Sequence, residues 1–220
     1  MKYNGENLKN QIQLVLKDKI RDVQGEKVQQ AAKTFLNIDT GSVKTGKIFN
    51  VMYDLALKDI ERFANLGLKD EIIHDVFINS FYQDAKYKTF ILVAKMPGVT
   101  DDEGVSAQKT LNDILDLDLD VNTQHIYTED IYLFENDLSD NELKELAEKQ
   151  LGNKLIHHFE FGEFTGNIDY VPEVKIDSDI EVKIISLEVD DDSLIKLSKD
   201  MLLSLNLEEM QKRHPLLSNY

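Results

Sequence analysis

Few side chains in this sequence could do chemistry, and the first candidates are histidines and a run of aspartates. His157 and His158 are adjacent, and His74 has a similar sequence context earlier in the chain. Imidazole is a common zinc ligand, but successive strand residues face opposite sides of a sheet, so the adjacent pair cannot readily share one ion. Residues 116–120 alternate aspartate with leucine, which could bind a hard cation weakly but is more typical of an exposed loop or edge. We therefore predict no metal site.

Catalytic groups of other kinds are also missing. The chain has no cysteine, which excludes disulfides, thiolate nucleophiles and iron–sulfur clusters. No nucleophile stands beside a base, and Gly41, Gly46, Gly162 and Gly166 form no phosphate-binding pattern. We predict that this chain contributes no catalytic residue and binds no cofactor itself.

Composition limits the class of protein. The net charge of −16 argues against a nucleic-acid partner, because phosphate binding needs clustered Lys and Arg. No apolar run approaches the roughly 20 residues of a membrane-spanning helix, and the polar N-terminus does not resemble a secretion signal. The sequence therefore favours a cytoplasmic protein with no membrane contact.

The negative charge is unevenly distributed. Residues 1–100 hold 15 basic and 12 acidic side chains, whereas residues 101–165 hold 4 and 17. One interpretation is a solvated surface; the other is an acidic face that attracts a basic partner. Glu142, Glu145 and Glu148 would then be the partner-facing residues.

The sequence contains an internal repeat. The Asp-x-x-Gly motif that runs from Asp22 to Gly25 recurs from Asp101 to Gly104, and the Ile-Ile-His that ends at His74 recurs as Leu-Ile-His ending at His157. We predict a first repeat at residues 10–83 and a second at 87–165. A unit of about 80 residues is close to the lower limit for an independent core, so each repeat is expected to be stabilised by packing against the other.

Apolar spacing predicts the same elements in both repeats: a strand, a helix, a strand pair, a second helix and a final strand. Asp22 and Asp101 stand where a carboxylate would cap the first helix, with Gly25 and Gly104 in its first turn. The fold class is therefore α+β, with two tandem β-α-β-β-α-β units. Two helices would cover one face of each sheet, and the units would pack sheet to sheet as a pseudo-dimer.

Residues 166–220 do not repeat this unit and are interpreted as a C-terminal linker segment. Val171-Pro172-Glu173 is typical of a connection, and residues 179–189 alternate enough to predict a strand. The carboxylates of Asp190, Asp191 and Asp192 predict a helix start, because they favour the positive end of a helix dipole.

The second repeat carries a family resemblance. Its stretch from Lys95 to Gly104, including Pro97, Gly98 and Asp101, resembles the small PurS subunit of phosphoribosylformylglycinamidine synthase. Two such units in tandem resemble the N-terminal region of the long single-chain form of that enzyme. Leu203–Met210 looks like the linker that leads into its synthetase domain. The resemblance covers about residues 10–211. Residues 19–21 of the first repeat read Lys-Ile-Arg where the second has Gly-Val-Thr, so we expect a different turn there.

The resemblance implies a role in purine biosynthesis, where formylglycinamide ribonucleotide, ATP and glutamine yield formylglycinamidine ribonucleotide. The PurS-like unit would be a non-catalytic component that bridges the synthetase and glutaminase parts and helps ammonia pass between them. ATP and Mg would then be bound by the partner synthetase domain, and the chain would be a subunit or fragment of a glutamine-dependent carbon–nitrogen ligase.

An alternative from another functional class stays open. A chain of this size could be a stand-alone regulatory module that binds a small metabolite between two ferredoxin-like units. The sequence also does not distinguish a natural separate subunit from a fragment of a longer enzyme.

Overall fold

A computed structural model describes residues 10–120, 125–166, 189–200 and 205–209. The strands are β1 Asn10–Leu16, β2 Val43–Val51, β3 His74–Ile78, β4 Thr89–Lys95, β5 Ile126–Phe134 and β6 His157–Glu163. The helices are α1 Val23–Ala31, α2 Leu57–Phe63, α3 Asp102–Leu115, α4 Asp140–Leu146 and α5 Asp191–Asp200. The π-helical turns Ala32–Leu36, Ala64–Leu68 and Ala147–Leu151 extend α1, α2 and α4. Within the described ranges, no helix has the length and apolar character needed to span a bilayer.

All six strands form one antiparallel sheet in the order β3-β1-β2-β5-β4-β6. We expected from the sequence two sheets packed against each other, but the two halves instead meet edge to edge in one sheet. The physical reason is the ladder between β2 and β5, in which nine residue pairs run from Val43 opposite Phe134 to Val51 opposite Ile126. This pairing gives hydrogen-bond partners to the backbone N–H and C=O groups along the inner strand of each half.

The strand pair expected between the two helices of each repeat is a single strand. In the first half, a hairpin over residues 42–54 would need a turn, but Gly46 lies inside β2, opposite Val15 and Ile131. A side chain there would place its Cβ 2.8 Å from the carbonyl oxygen of Leu14. β2 therefore runs straight between β1 and β5. In the described part of the second half, β5 is likewise one strand, so each half is β-α-β-α-β.

Helices α1 to α4 cover one face of the sheet and pack across the two halves. One core cluster combines α1 of the first half, through Val28, with α4 of the second, through Leu143 and Leu146. The other combines α2 of the first half with α3 of the second, through Phe63 and Leu111. Each half therefore completes its core with a helix from the other half, which agrees with the small size of one repeat.

The opposite face of the sheet has a core cluster without helical residues. Val15, Ile48 and Ile131 alternate with the residues that face the helices, and the connection between the halves packs over them through Phe81 and Tyr82. The backbone N–H of Tyr82 donates a 2.6 Å hydrogen bond to Oε1 of Gln13, a side chain with no exposed surface. The connection is thus a structural part of the fold.

The chain divides into two compact units, Met1–Ile176 and Asp177–Tyr220. In the second unit, Asp190 accepts hydrogen bonds from the N–H and the hydroxyl of Ser193 at 3.0 and 2.8 Å, at the start of α5. Asn206 and Glu209 exchange side chain to backbone bonds of 2.9 and 3.0 Å. The connection at 171–173 and the strand expected at 179–189 lie outside the described residues, apart from Val189. The predicted division into a first repeat at 10–83, a second at 87–165 and a linker at 166–220 stays a prediction.

Candidate functional site

Asp22 joins the N-terminus of α1 to the centre of the sheet. Its carboxylate accepts the backbone N–H of Gly25 at 2.7 Å, as an N-cap does, and the N–H of Thr45 on β2 at 2.7 Å. The Thr45 hydroxyl lies 3.0 Å from both carboxylate oxygens. A Cβ on Gly25 would lie 2.3 Å from the carbonyl oxygen of Val43. Only glycine allows α1 to approach β2 this closely.

The second half repeats this arrangement. Asp101 accepts the Gly104 N–H at 2.9 Å, the Thr128 N–H at 2.6 Å and the Thr128 hydroxyl at 2.9 Å. Asp101 is 2% exposed, so these donors replace the hydrogen bonds that water would otherwise make to its carboxylate. We did not predict a role for the two threonines from the sequence. The available signal was that Thr45 and Thr128 differ by the same offset as His74 and His157.

Pro97 and Gly98 form the turn from β4 into α3. The Val99 N–H donates to the Met96 carbonyl at 3.0 Å, and Gly98 has a φ of +82°. Proline at the second position and a positive φ at the third define a type II turn. The first half also closes its turn here, from Ile20 N–H to the Lys17 carbonyl at 2.8 Å, but without a positive φ at the equivalent residue.

A cluster of charged residues lies where the halves meet. Lys47 on β2 faces Asp130 on β5, with 2.6 Å between Nζ and Oδ1, and also pairs with Glu103 on α3. Burial lowers the pKa of Lys47, but Asp130 and Glu103 together outweigh burial and raise the pKa above its usual value. The lysine is therefore held in its charged form.

Two cavities flank this cluster on the helix-covered side. Their volumes are about 330 and 340 Å³, and both are lined by Lys47 and Asp130. One also contacts His157 and the other His74. The repeated histidines thus occupy matching places beside the line where the halves join.

The histidines make mainly structural contacts. Nδ1 of His74 accepts the Asp70 N–H at 3.2 Å, and Nδ1 of His157 accepts the Asn153 N–H at 3.0 Å, so each ring fixes the turn before its strand. Burial, followed by the nearby Lys95, lowers the pKa of His157. Nε2 of His158 lies 3.0 Å from Oε1 of Glu160 on the other face of the sheet. The two adjacent histidines do not converge on one point.

The run of aspartates forms a loop after α3. Asp116 ends the helix in the left-handed conformation with φ of +53°, and all three aspartates are exposed while Leu117 and Leu119 pack on the second core cluster. The side-chain amides of Gln108 and Asn112 donate to loop carbonyls at 3.0 Å. Within the described residues no group of three or more potential ligands is placed to hold a metal ion.

The three glutamates of the second helix have different roles. Glu142 belongs to a capping box with Ser139, whose hydroxyl and backbone N–H hold the pKa of Glu142 below its usual value. Glu145 pairs with Lys149 at 2.6 Å. Glu148 is exposed. Of the three, Glu148 is the one whose charge can be changed without disturbing these helix contacts.

Glu129 is a buried carboxyl group on the face of the sheet opposite the helices. It is 1% exposed, and neither side-chain oxygen has a hydrogen-bond partner in the described structure. Burial, with smaller effects from Asp101 and Glu160, raises the pKa of Glu129 to about 8, although the nearby Asn50 amide acts in the opposite direction. The group is therefore mostly protonated at neutral pH. No feature of the sequence distinguished it from a surface glutamate.

Part of the chain matches a known protein family. Residues 9–80 match the family described as PurS: phosphoribosylformylglycinamidine (FGAM) synthase. A search of the curated proteins found no match. The chain therefore contains a PurS-like region, and this region is the first half, although the motif resemblance was stronger in the second.

Proposed function

We propose that both halves are PurS-like units and that they pair within one chain as the two members of a dimer. The family match covers the first half. The second half repeats its strand and helix order and its contacts among aspartate, glycine N–H and threonine. The β2–β5 register supports the same conclusion, because Lys47 and Asp130, which are equivalent by the 83-residue offset, face each other. This self-pairing of equivalent positions is what a twofold relation requires.

The proposed role is that of a non-catalytic component of phosphoribosylformylglycinamidine synthase. The family match over residues 9–80 is the observation that carries this proposal. Amide transfer from glutamine needs a nucleophile, and activation of the substrate amide needs an ATP site. The site residues of this chain instead cap helices, close turns and fix the sheet. They fit a scaffold that holds other proteins in position.

The partners would be the synthetase and glutaminase components, which the chain would bridge. In this arrangement the synthetase supplies the site for ATP and Mg, and the glutaminase supplies the catalytic cysteine. The acidic second half would face a basic surface on one of them, and the less charged first half would face the other.

Assembly can be measured directly. The chain is mixed with a synthetase that lacks a PurS-like region and with a glutaminase, and complexes are separated by size-exclusion chromatography with light scattering. We expect a ternary complex that forms only when this chain is present. Co-elution of synthetase and glutaminase to the same extent without the chain would contradict bridging, as would a chain that elutes alone.

The alternative function, a module that binds a small metabolite, requires a cavity that can hold the ligand. A cavity of about 620 Å³ lies between residues 83–89, the start of α4 and the end of β6. Its lining includes Asp84, Asp137, Asp140 and Glu163, with Lys88 as a counter-charge. A thermal-shift screen with amino acids and nucleotides distinguishes the two functions: a clear shift favours the module, and none favours the bridging component.

A further inference from the structure

The residues at the centre of the β2–β5 ladder have an unusual relation to the repeat. Position 47 and position 130 are equivalent in the two halves, and they lie directly opposite each other. A symmetric pair of identical units would place the same residue type at both positions. Here Lys47 meets Asp130, with 2.6 Å between Nζ and Oδ1. The two halves therefore differ in charge at the one position where a twofold relation would bring like residues together.

The neighbouring helix strengthens this difference. Glu103 in the first turn of α3 also pairs with Lys47, so both carboxylates around the lysine come from the second half. The residue equivalent to Glu103 in the first half is the neutral Gln24. Side-chain exposure is 26% for Lys47 and 44% for Asp130, so solvent screens the pair only in part.

Pairing of like halves would lose every one of these attractions. Two first halves would place Lys47 opposite Lys47, with only Gln24 beside them. Two second halves would place Asp130 opposite Asp130, with two copies of Glu103 and no Lys47 between them. Like charges directly opposite each other in antiparallel strands destabilise the pairing.

We propose that the β2–β5 seam is a pairing surface whose charges select the unlike half and reject the same half of a second copy of this chain. Each half is a small unit with an open inner strand, so without such selection a second chain could supply the partner strand. The inference rests on the equivalence of the halves in the proposed function, but not on any role in a synthase.

The test exchanges the charges in the full-length chain. All variants carry Glu103→Gln, which makes this neighbour match Gln24 of the first half. Lys47→Asp and Asp130→Lys are each expected to lower the folding equilibrium constant about tenfold, because each leaves like charges opposite each other. The variant with both changes is expected to recover to within about threefold of the Glu103→Gln chain. A loss in the double variant equal to the sum of the losses in the two single variants would overturn the proposal.

A second measurement tests selection between chains. A tagged Lys47→Asp chain and an untagged Asp130→Lys chain are refolded together, because only pairing between the two chains, and not within either one, places Lys opposite Asp. We expect several times more untagged chain to be captured than in a control refolding of tagged and untagged Lys47→Asp. Equal capture in the two experiments would show that the seam charges do not select the partner. The outcome does not depend on synthase activity, so it can fail while the proposed function stands.

Discussion

Replacement of Glu129 by glutamine is expected to stabilise the protein, and the size of the effect should depend on pH. The pKa of Glu129 is about 8 in the folded chain, against a usual value of 4.5, mainly because the carboxyl group is buried. As pH rises between these values, the unfolded chain releases the proton while the folded chain retains it. The free energy of unfolding therefore falls across this window and levels off above pH 8.

The magnitude follows from the difference of about 3.5 pH units. At about 1.4 kcal/mol per unit, the wild-type chain loses about 4 kcal/mol between pH 4.5 and pH 8.5, and about 3 kcal/mol of this loss is present at pH 7. Glu129→Gln keeps the side chain neutral at every pH and of nearly the same size. The variant should thus match the wild type near pH 4.5 and exceed it by these amounts at higher pH.

Urea unfolding followed by circular dichroism at pH 4.5, 7 and 8.5 measures the difference. Glu148→Gln is the matched control, because the same substitution on an exposed helix residue should show no comparable pH dependence. A stability difference between Glu129→Gln and wild type that stays constant across the three pH values would refute the reasoning. It would mean that the carboxyl group is solvated or paired in solution.

Three other predictions concern helix caps, glycines and surface charge. Asp101→Ala removes a buried cap with three hydrogen bonds and should lower the free energy of unfolding, measured with urea, by about 2–4 kcal/mol. The control Asp102→Ala, on the exposed side of the same turn, should lower it by less than about 0.5 kcal/mol. Gly25→Ala should destabilise the protein more than Gly98→Ala, because it places a Cβ 2.3 Å from a β2 carbonyl oxygen. The Cβ of Gly98→Ala meets no atom within 4 Å, so this variant should lose only about 1 kcal/mol of stability from the positive φ. Glu148→Gln should slow association with a basic partner at low salt and have little effect at high salt, measured by stopped flow; unchanged rates would assign this residue to solvated surface.

The helices and their N-caps could largely be predicted from the sequence. The apolar spacing predicted a helix after the first strand of each repeat, and the structure has these helices at Val23–Ala31 and Asp102–Leu115, with Asp22 and Asp101 at their N-caps. The capping box that begins at Ser139 was also visible as a Ser-x-x-Glu pattern. These features depend on contacts between residues three or four positions apart, which one sequence records directly.

The arrangement of the two halves was not readable in the same way. The β2–β5 ladder is made of backbone hydrogen bonds, which any residue except proline can supply. The side-chain pattern therefore does not predict which strands pair. The apolar residues on both faces of the strands suggested a second sheet. The structure covers one of those faces with helices from both halves and part of the other with Phe81, Tyr82 and Tyr87.

The central claim, that this chain is the PurS-like component of the synthase, is tested most directly by reconstitution of activity. Synthetase and glutaminase are assayed for formylglycinamidine ribonucleotide formation with and without the chain, first with glutamine and then with an ammonium salt as the nitrogen source. The account predicts that the chain is required for the glutamine-dependent reaction and has a much smaller effect with ammonium, because free ammonia needs no bridge between the two sites. A glutamine-dependent rate that is unchanged by adding the chain would contradict it.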